Sequence, residues 1–333
     1  KELFEGALKH RVILYPVSTP KDSLESTQLA DRKFWTEVEH PELGINITYP
    51  GAFAKTTEVP PRVRHRAPLI GEHNEEVLGN ELGLSRSELL ALRHAKDYPV
   101  KSVTKNNGGN APERPLEGIR VADFTWNIVG PLSTKLLADY GAEVIRIEGR
   151  TRPDPARTGG PFKDSIGGLD RAGHVCQWTT GKLGVGLNLA HPGGVEIARE
   201  IIARSDFVVE TFAGGVMEKL GLGYQELKKI KPDIIMLSSC MQGQTGPQAS
   251  HPGFGYHLAA LSGFSQIAGW PDREPAWLGP YTDFPAPHLN DLILLAALDY
   301  RQRTGKGQYI DMSQYENGIH FLTPIFLDYV VNG

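Results

Sequence analysis

Cysteine is scarce in this chain: two in 333 residues, Cys176 and Cys240. They show no metal-like pairing, so neither a disulfide framework nor a zinc site is expected, and a reducing, cytoplasmic setting fits best. Long apolar runs are missing as well. None reaches about 18 residues, the length a membrane-spanning helix requires. Long basic runs are also missing, and the formal net charge is −4. Nucleic acid and anionic membrane surfaces are therefore poor partners, whereas a small anion needs only a few placed cations. A dinucleotide fingerprint is absent too. The glycines of "GKLGVGLNL" lie on an alternating strand pattern instead of a strand-to-helix turn, so they cannot cradle a pyrophosphate. No internal repeat is visible.

What is present is enough apolar residue, 40% of the chain, for a large core. The pattern divides the chain at "VKSVTKNNGGNAPERPLE", residues 100–117, which is polar, rich in Asn and Gly, and without apolar period. Residues 1–99 begin with helical spacing in "KELFEGALKHRV" and end in "GLSRSELLALRHA", where Ser85 and Glu88 stand at capping-box spacing. Residues 118–333 alternate strand and helix. "IRVADF", "AEVIRIE", "KLGVGLNL", "FVVET", "DIIMLSS" and "QYIDMS" read as strands. "PLSTKLLADYG", with Pro131 at its start and Gly141 at its end, "PGGVEIAREIIARSD" and "APHLNDLILLAALDYRQRTG", ending at Gly305, read as helices. That alternation predicts an α/β fold with a mostly parallel sheet and flanking helices.

The ordered string "GIRVADFTWNIVGPLSTKLLADYGAEVIRIE", "DPAR", "GKLGVGLNL", "VVETFAGGVMEKLGLGYQEL", "KPDIIMLSSCMQGQTGP" and "RQRTGKGQYIDMS" resembles the family III CoA-transferases, the carnitine/formate type that includes the α-methylacyl-CoA racemases. The resemblance implies a Rossmann-like large domain. "PPRVRHRAPLIGEHNEEVLGNELGLS" resembles the opposite, C-terminal end of the same family. Residues 1–99 would then close one copy, residues 100–117 would link, and residues 118–333 would open a second, reaching the start of its small domain. A piece of a tandem fusion is the expectation, with circular permutation of one domain as the alternative. The resemblance also implies an interlocked homo- or pseudo-dimer, coenzyme A as a substrate, no metal, and partners that are an acyl-CoA and a small carboxylic acid.

The implied reaction moves CoA between carboxylic acids. An aspartate attacks the acyl-CoA carbonyl, and mixed anhydrides and an enzyme–CoA thioester follow. In the family that acid falls in a "GFD"- or "GHD"-like turn ahead of an apolar "LAQALSG"-like helix. The matching stretch here is "HPGFGYHLAALSGF", which puts Gly255 at the acid's position. Glycine can neither attack nor accept a proton, so the expectation is a copy without its own nucleophile, served by another copy. Three local substitutes exist. His251 and His257 could act through a neutral imidazole or simply pack. Asp283, in "GPYTDFPAP", resembles the family's "xxDxxxG" loop, or forms a turn as an Asx residue. The alternatives are an acyl-CoA racemase or isomerase, and a non-catalytic CoA-binding or scaffold half.

For CoA itself the resemblance implies Ile128 and Val129 at the entrance, and Lys182 near the nucleotide. It places Thr211, Phe212 and Lys219 in a loop similar to "ENFxxGxxxxxG". Arg146 and Arg157 are further cationic candidates. Each has a plainer reading: Lys182 and Lys219 as solvated lysines, Phe212 as core, and Arg146 on the exposed side of a strand whose neighbours Ile145 and Ile147 point inward.

Overall fold

The structure, a computed structural model, describes residues 2–41, 44–51, 54–57, 85, 87, 114–149, 152–169, 172–179 and 181–333. Its centre is a seven-stranded sheet in the order β3-β9-β8-β7-β4-β5-β6. The strands are β3 Ala54–Thr56, β4 Arg120–Phe124, β5 Glu143–Glu148, β6 Lys182–Gly186, β7 Phe207–Glu210, β8 Ile235–Cys240 and β9 Tyr309–Ser313. All neighbours run parallel except β3, which pairs antiparallel with β9. β7 and β8 are buried along their whole length, as strands covered by helices on both faces must be. A separate hairpin, β1 Trp35–His40 and β2 Ile45–Pro50, lies beside the helix Thr323–Asn332.

The predicted strands of residues 118–333 all form, as do the three predicted helices. "PLSTKLLADYG" becomes the helix Val129–Asp139, capped at Tyr140, with Gly141 following at φ +106°. The long helix Pro285–Thr304 ends on Gly305 at φ +73°. β6 differs from expectation. Lys182, read above as a nucleotide contact or a solvated lysine, points its side chain inward, while Leu183 is 56% exposed. As an edge strand, β6 has only one covered neighbour, so its apolar face need not be the buried one.

Chain order explains where a site can form. From β4 the chain builds outward through β5 and β6, then returns to lay β7 on the other side of β4. Crossovers leave the carboxyl ends of β4 and β7 in opposite directions, opening a crevice at a topological switch point.

Residues 2–57 join this body. Arg32 is fully buried and pairs with Asp311 at 2.9 Å and with Glu316. Gln28 bonds Gln242 O, Thr245 O and Gln248 N, and β3 extends the sheet beyond β9. Leu29 and Phe34 share a core with Leu258, Phe264, Tyr315 and Ile319. Most of the predicted linker lies outside the described residues. Its last turn is not free: Leu116 is buried in the sheet core, and its N–H donates to Tyr140 O. Glu88, the second half of the predicted capping box, also lies outside the described residues.

Candidate active site

The loop leaving β4 is held rigidly. Trp126 N–H donates to Thr211 Oγ1 at 2.8 Å, and Asn127 N–H to the Asp154 carboxylate at 3.0 Å. Asn127 takes a left-handed φ of +60°. Gly130 must be glycine, because a Cβ would come within 2.5 Å of Thr125 and Thr211 side-chain carbons. The loop from β4 and the loop from β7 therefore meet closely across the switch point.

A cavity of about 170 Å³ opens there. Ile128 and Val129 from the helix start, Thr211 after β7, Cys240 at the end of β8, Gly255, Asp283 and Gln314 line it. Asp283 ends the short 3₁₀ turn Tyr281–Asp283 and is 7% exposed. Its carboxylate lies against Gly255: a Cβ built on Gly255 would be 2.2 Å from Asp283 Oδ1 and 2.7 Å from Oδ2. The position that the sequence comparison left empty is thus filled in space by a carboxylate from a later turn. Gln314 donates to Oδ1. Burial pushes the Asp283 carboxyl up to about 6, with the Gln314 bond opposing that rise. The group is largely ionised at neutral pH, yet more basic than an exposed aspartate.

A second cavity, about 410 Å³, shares Trp126, Asn127 and Thr211 with the first. Its walls are mostly apolar: Ile147, Leu187, Leu189, Phe212, Val216 and Leu220. Phe212 meets Trp126 edge-on at 5.4 Å, and the Arg152 guanidinium lies 5.0 Å from the Trp126 ring. Glu210, at the end of β7, accepts from Phe212 N–H at 2.6 Å. Burial pushes the Glu210 carboxyl up to about 8. A third cavity of about 210 Å³, lined by Arg146 and Arg157, continues past Glu148 and Gly149.

The structure brings Ile128, Val129, Thr211 and Asp283 to one cavity, and Thr211 and Phe212 to the next. It does not bring Lys182 there. All three ammonium donors are used internally, on Asp123 at 2.9 Å, Pro131 O at 2.8 Å and Thr134 Oγ1 at 2.6 Å. Neither the nucleotide role nor the plainer reading as a solvated lysine matches that burial. Burial raises the cost of charge on Asp123, but Lys182 and Arg146 outweigh it and hold the carboxyl below its usual range. Arg146 is likewise not on an exposed strand face; it is 4% exposed and bonded to Asp154 at 2.6 Å. Arg157 binds Glu148 at 2.6 Å. Lys219 is exposed, between Val216 and Leu220 of the larger cavity. His257 Nδ1 accepts from Phe254 N–H, and His251 packs on Tyr15 at 4.6 Å; neither lines the Asp283 cavity. Among the described residues no cluster of three or more His, Cys, Asp or Glu could hold a metal ion. None of their helices is long and apolar enough to cross a membrane.

Residues 1–74 and 116–333 match the model of CoA-transferase family III. The chain belongs to this family. Similar curated relatives include the succinyl-CoA–L-malate CoA-transferase beta subunit of Chloroflexus aurantiacus. It is 37% identical over 63% of this chain and 51% of its own length. The acetyl-CoA:oxalate CoA-transferase of Acetobacter aceti is 36% identical over 63% of this chain and 54% of its own. A solved CaiB/BaiF family protein from Brucella suis superposes with a TM-score of 0.62 and 33% identity, over 66% of this chain and 58% of that one. The chain spans about half the length of these curated relatives.

Sequence reasoning within the family missed Gln314, Thr282 and Trp126. A signal for the first was available. "SQYE" is a Ser-x-x-Glu start, and Ser313 Oγ does cap the helix Gln314–Phe321 through Glu316 N–H. That cap fixes Gln314 at the end of β9. Thr282, which bonds the Gly255 carbonyl, and Trp126, whose ring walls the cavities, carry no such signal.

Proposed function

We propose that this chain builds a CoA-transfer site in which Asp283 is the nucleophile, moving CoA between an acyl-CoA and a small carboxylic acid. One observation carries the proposal. A buried carboxylate, bonded among the described residues through one oxygen, lies at the switch-point cavity, against a glycine that leaves it room. This replaces the expectation drawn from Gly255 that the nucleophile must come from another copy.

The steps need no proton from a second acid. An Asp283 oxygen attacks the thioester carbonyl carbon, the C–S bond breaks, and CoA leaves as the thiolate with the bonding pair. The thiolate then attacks the Asp283 carbonyl of the mixed anhydride. That releases the donor acid as carboxylate and leaves an aspartyl–CoA thioester. An acceptor carboxylate repeats the sequence in reverse and restores Asp283. Each addition places charge on a carbonyl oxygen. The first N–H groups of the helix Val129–Asp139, beside Ile128 and Val129, are suited to receive it. The larger cavity suits the nucleotide end of CoA, with Phe212 and Trp126 as apolar walls and Arg152 and Lys219 as the cations nearby. Arg146 and Arg157, already paired with carboxylates, line the adjoining third cavity.

The same proposal keeps residues 1–99 and 118–333 as parts of successive copies, with an interlocked pair as the working unit in a cytoplasmic setting. The full reading frame and sedimentation of the native protein test these points. A racemase would need an acid/base pair facing the α-carbon, and among the described residues lining this cavity Asp283 is the one carboxylate, with no imidazole beside it. The decisive experiment incubates the full chain with succinyl-CoA and a set of dicarboxylates. CoA exchange and a hydroxylamine-sensitive adduct on Asp283 are expected. Asp283→Asn should lower exchange by about 10³-fold or more. Exchange that survives this substitution refutes the assignment.

A further inference from the structure

Resting on Asp283 as the reacting carboxylate, we propose that Gln314 is its positioning residue. Together with Gly255 it holds Oδ1 so that Oδ2 is the oxygen presented to substrate. The argument is a count of hydrogens. Gln314 Nε2 has two. One goes to Asp283 Oδ1 and the other to Thr282 Oγ1 at 3.1 Å. The Thr282 hydroxyl has a single hydrogen, and it is spent on Gly255 O at 3.0 Å. Toward Gln314 that hydroxyl can therefore only accept. The amide must face the turn with its NH₂ and not with its carbonyl, which settles which end of Gln314 meets the carboxylate.

Both ends of this chain of donors are anchored. Gly255 opens the helix Gly255–Leu261, so its carbonyl is fixed by backbone geometry. Gln314 follows Ser313, which is paired with Cys240 across β8 and β9 and also caps the next helix. Gly255 contributes by lacking a Cβ, because any side chain there would occupy the carboxylate's own volume. Among the described residues Asp283 Oδ2 has no hydrogen-bond partner. Attack through Oδ2 leaves the Gln314 bond in place, so the amide can follow the developing acyl oxygen at Oδ1 throughout the exchange.

A bond donated to the ionised form favours that form, so Gln314 opposes burial in setting the carboxyl's titration. Other ionisable side chains on the elements packed against Asp283 are few near it. Tyr256 and His257 come from Gly255–Leu261, His288 and Asp291 from the start of Pro285–Thr304, and Tyr315, Glu316 and His320 from Gln314–Phe321. Glu316 is committed to Arg32. Cys240 faces the same cavity from β8, and burial together with Asp311 pushes its thiol up, so it stays neutral.

The test reads this titration directly and without substrate. The full chain is prepared with carbon-13 at the aspartate carboxyl, and the Asp283 resonance is assigned by its loss in Asp283→Asn. Gln314→Leu should raise the midpoint by about one pH unit. Gln314→Met, which keeps the length but removes the donor without adding charge, should raise it as well and covers failure of the leucine variant to fold. In a Gly255→Ala background, where the carboxylate is displaced, the Gln314 effect should vanish. A midpoint that stays within a few tenths of a unit in both Gln314 variants overturns the positioning role. Transfer unchanged in Asp283→Asn overturns the function it rests on, and the two failures are read by different measurements.

Discussion

Two buried carboxylates in this molecule are treated in opposite ways. Asp123, at the end of β4, takes bonds from Lys182, Thr134 and Thr125, and both of its oxygens are occupied. Its partner Lys182 is just as fully used. Among the described residues Asp283 takes one bond on one oxygen and has no cation paired with it. The first arrangement holds a loop. The second keeps an anion that is costly to bury, and the cost is useful only if something arrives to react with it. A saturated buried charge is a structural fastening, whereas a half-satisfied one at a cavity is suited to the nucleophilic role proposed for Asp283. Lys182 drew attention in the sequence as a cation for CoA, yet it belongs to the fastening.

That contrast can be broken most forcefully at Lys182. Lys182→Met leaves Asp123 buried without its bonded ammonium, with only the more distant Arg146 to offset the charge, and a loss of about 3–5 kcal/mol in urea unfolding is expected. A loss below about 1 kcal/mol would mean that the pair is not what holds the β4 loop. Asp283 should respond with the opposite sign. The folded protein binds the Asp283 proton more tightly than the unfolded chain does. Stability from this group is therefore complete below about pH 4 and is lost as pH rises through about 6. Asp283→Asn should then be more stable than the parent at pH 8, by on the order of 2–3 kcal/mol, and the gain should disappear by pH 4. Melting curves at the two pH values decide it. The smallest effect is expected at the apolar wall. Phe212→Ala should weaken CoA binding by about tenfold in calorimetry, through lost contact area in the larger cavity. Unchanged affinity would move the nucleotide elsewhere.

Much of the fold was readable in advance. β4, β5, β7, β8 and β9 announce themselves as short apolar runs separated by helical periods. Pro285 and Gly305 bracket the longest helix. The site was readable only in part. Ile128, Val129, Thr211 and Phe212 follow directly from strand ends, because a parallel sheet presents its carboxyl-end loops together. Gly255 marks a limit of the sequence for a physical reason. A sequence shows which side chain a position lacks, but not which side chain from another turn enters the vacated volume. The burial of Lys182 is a similar case, since an edge strand gives no clue about which of its faces is covered. The "SQYE" start marks where Gln314 begins a helix, but its approach to Asp283 shows only once β9 is placed beside β8.

The pairing of β3 with β9 and the reach of Arg32 to Asp311 and Glu316 tie the beginning of the chain to its end. A shortened version starting near Gly118 would look sensible on a domain map. It would nonetheless expose the flank of β9 to sticky self-association and strand two interior acids with no guanidinium to answer them. Anyone trimming this polypeptide for crystals or assays should keep its opening fifty-odd residues, because the half that carries Asp283 leans on them.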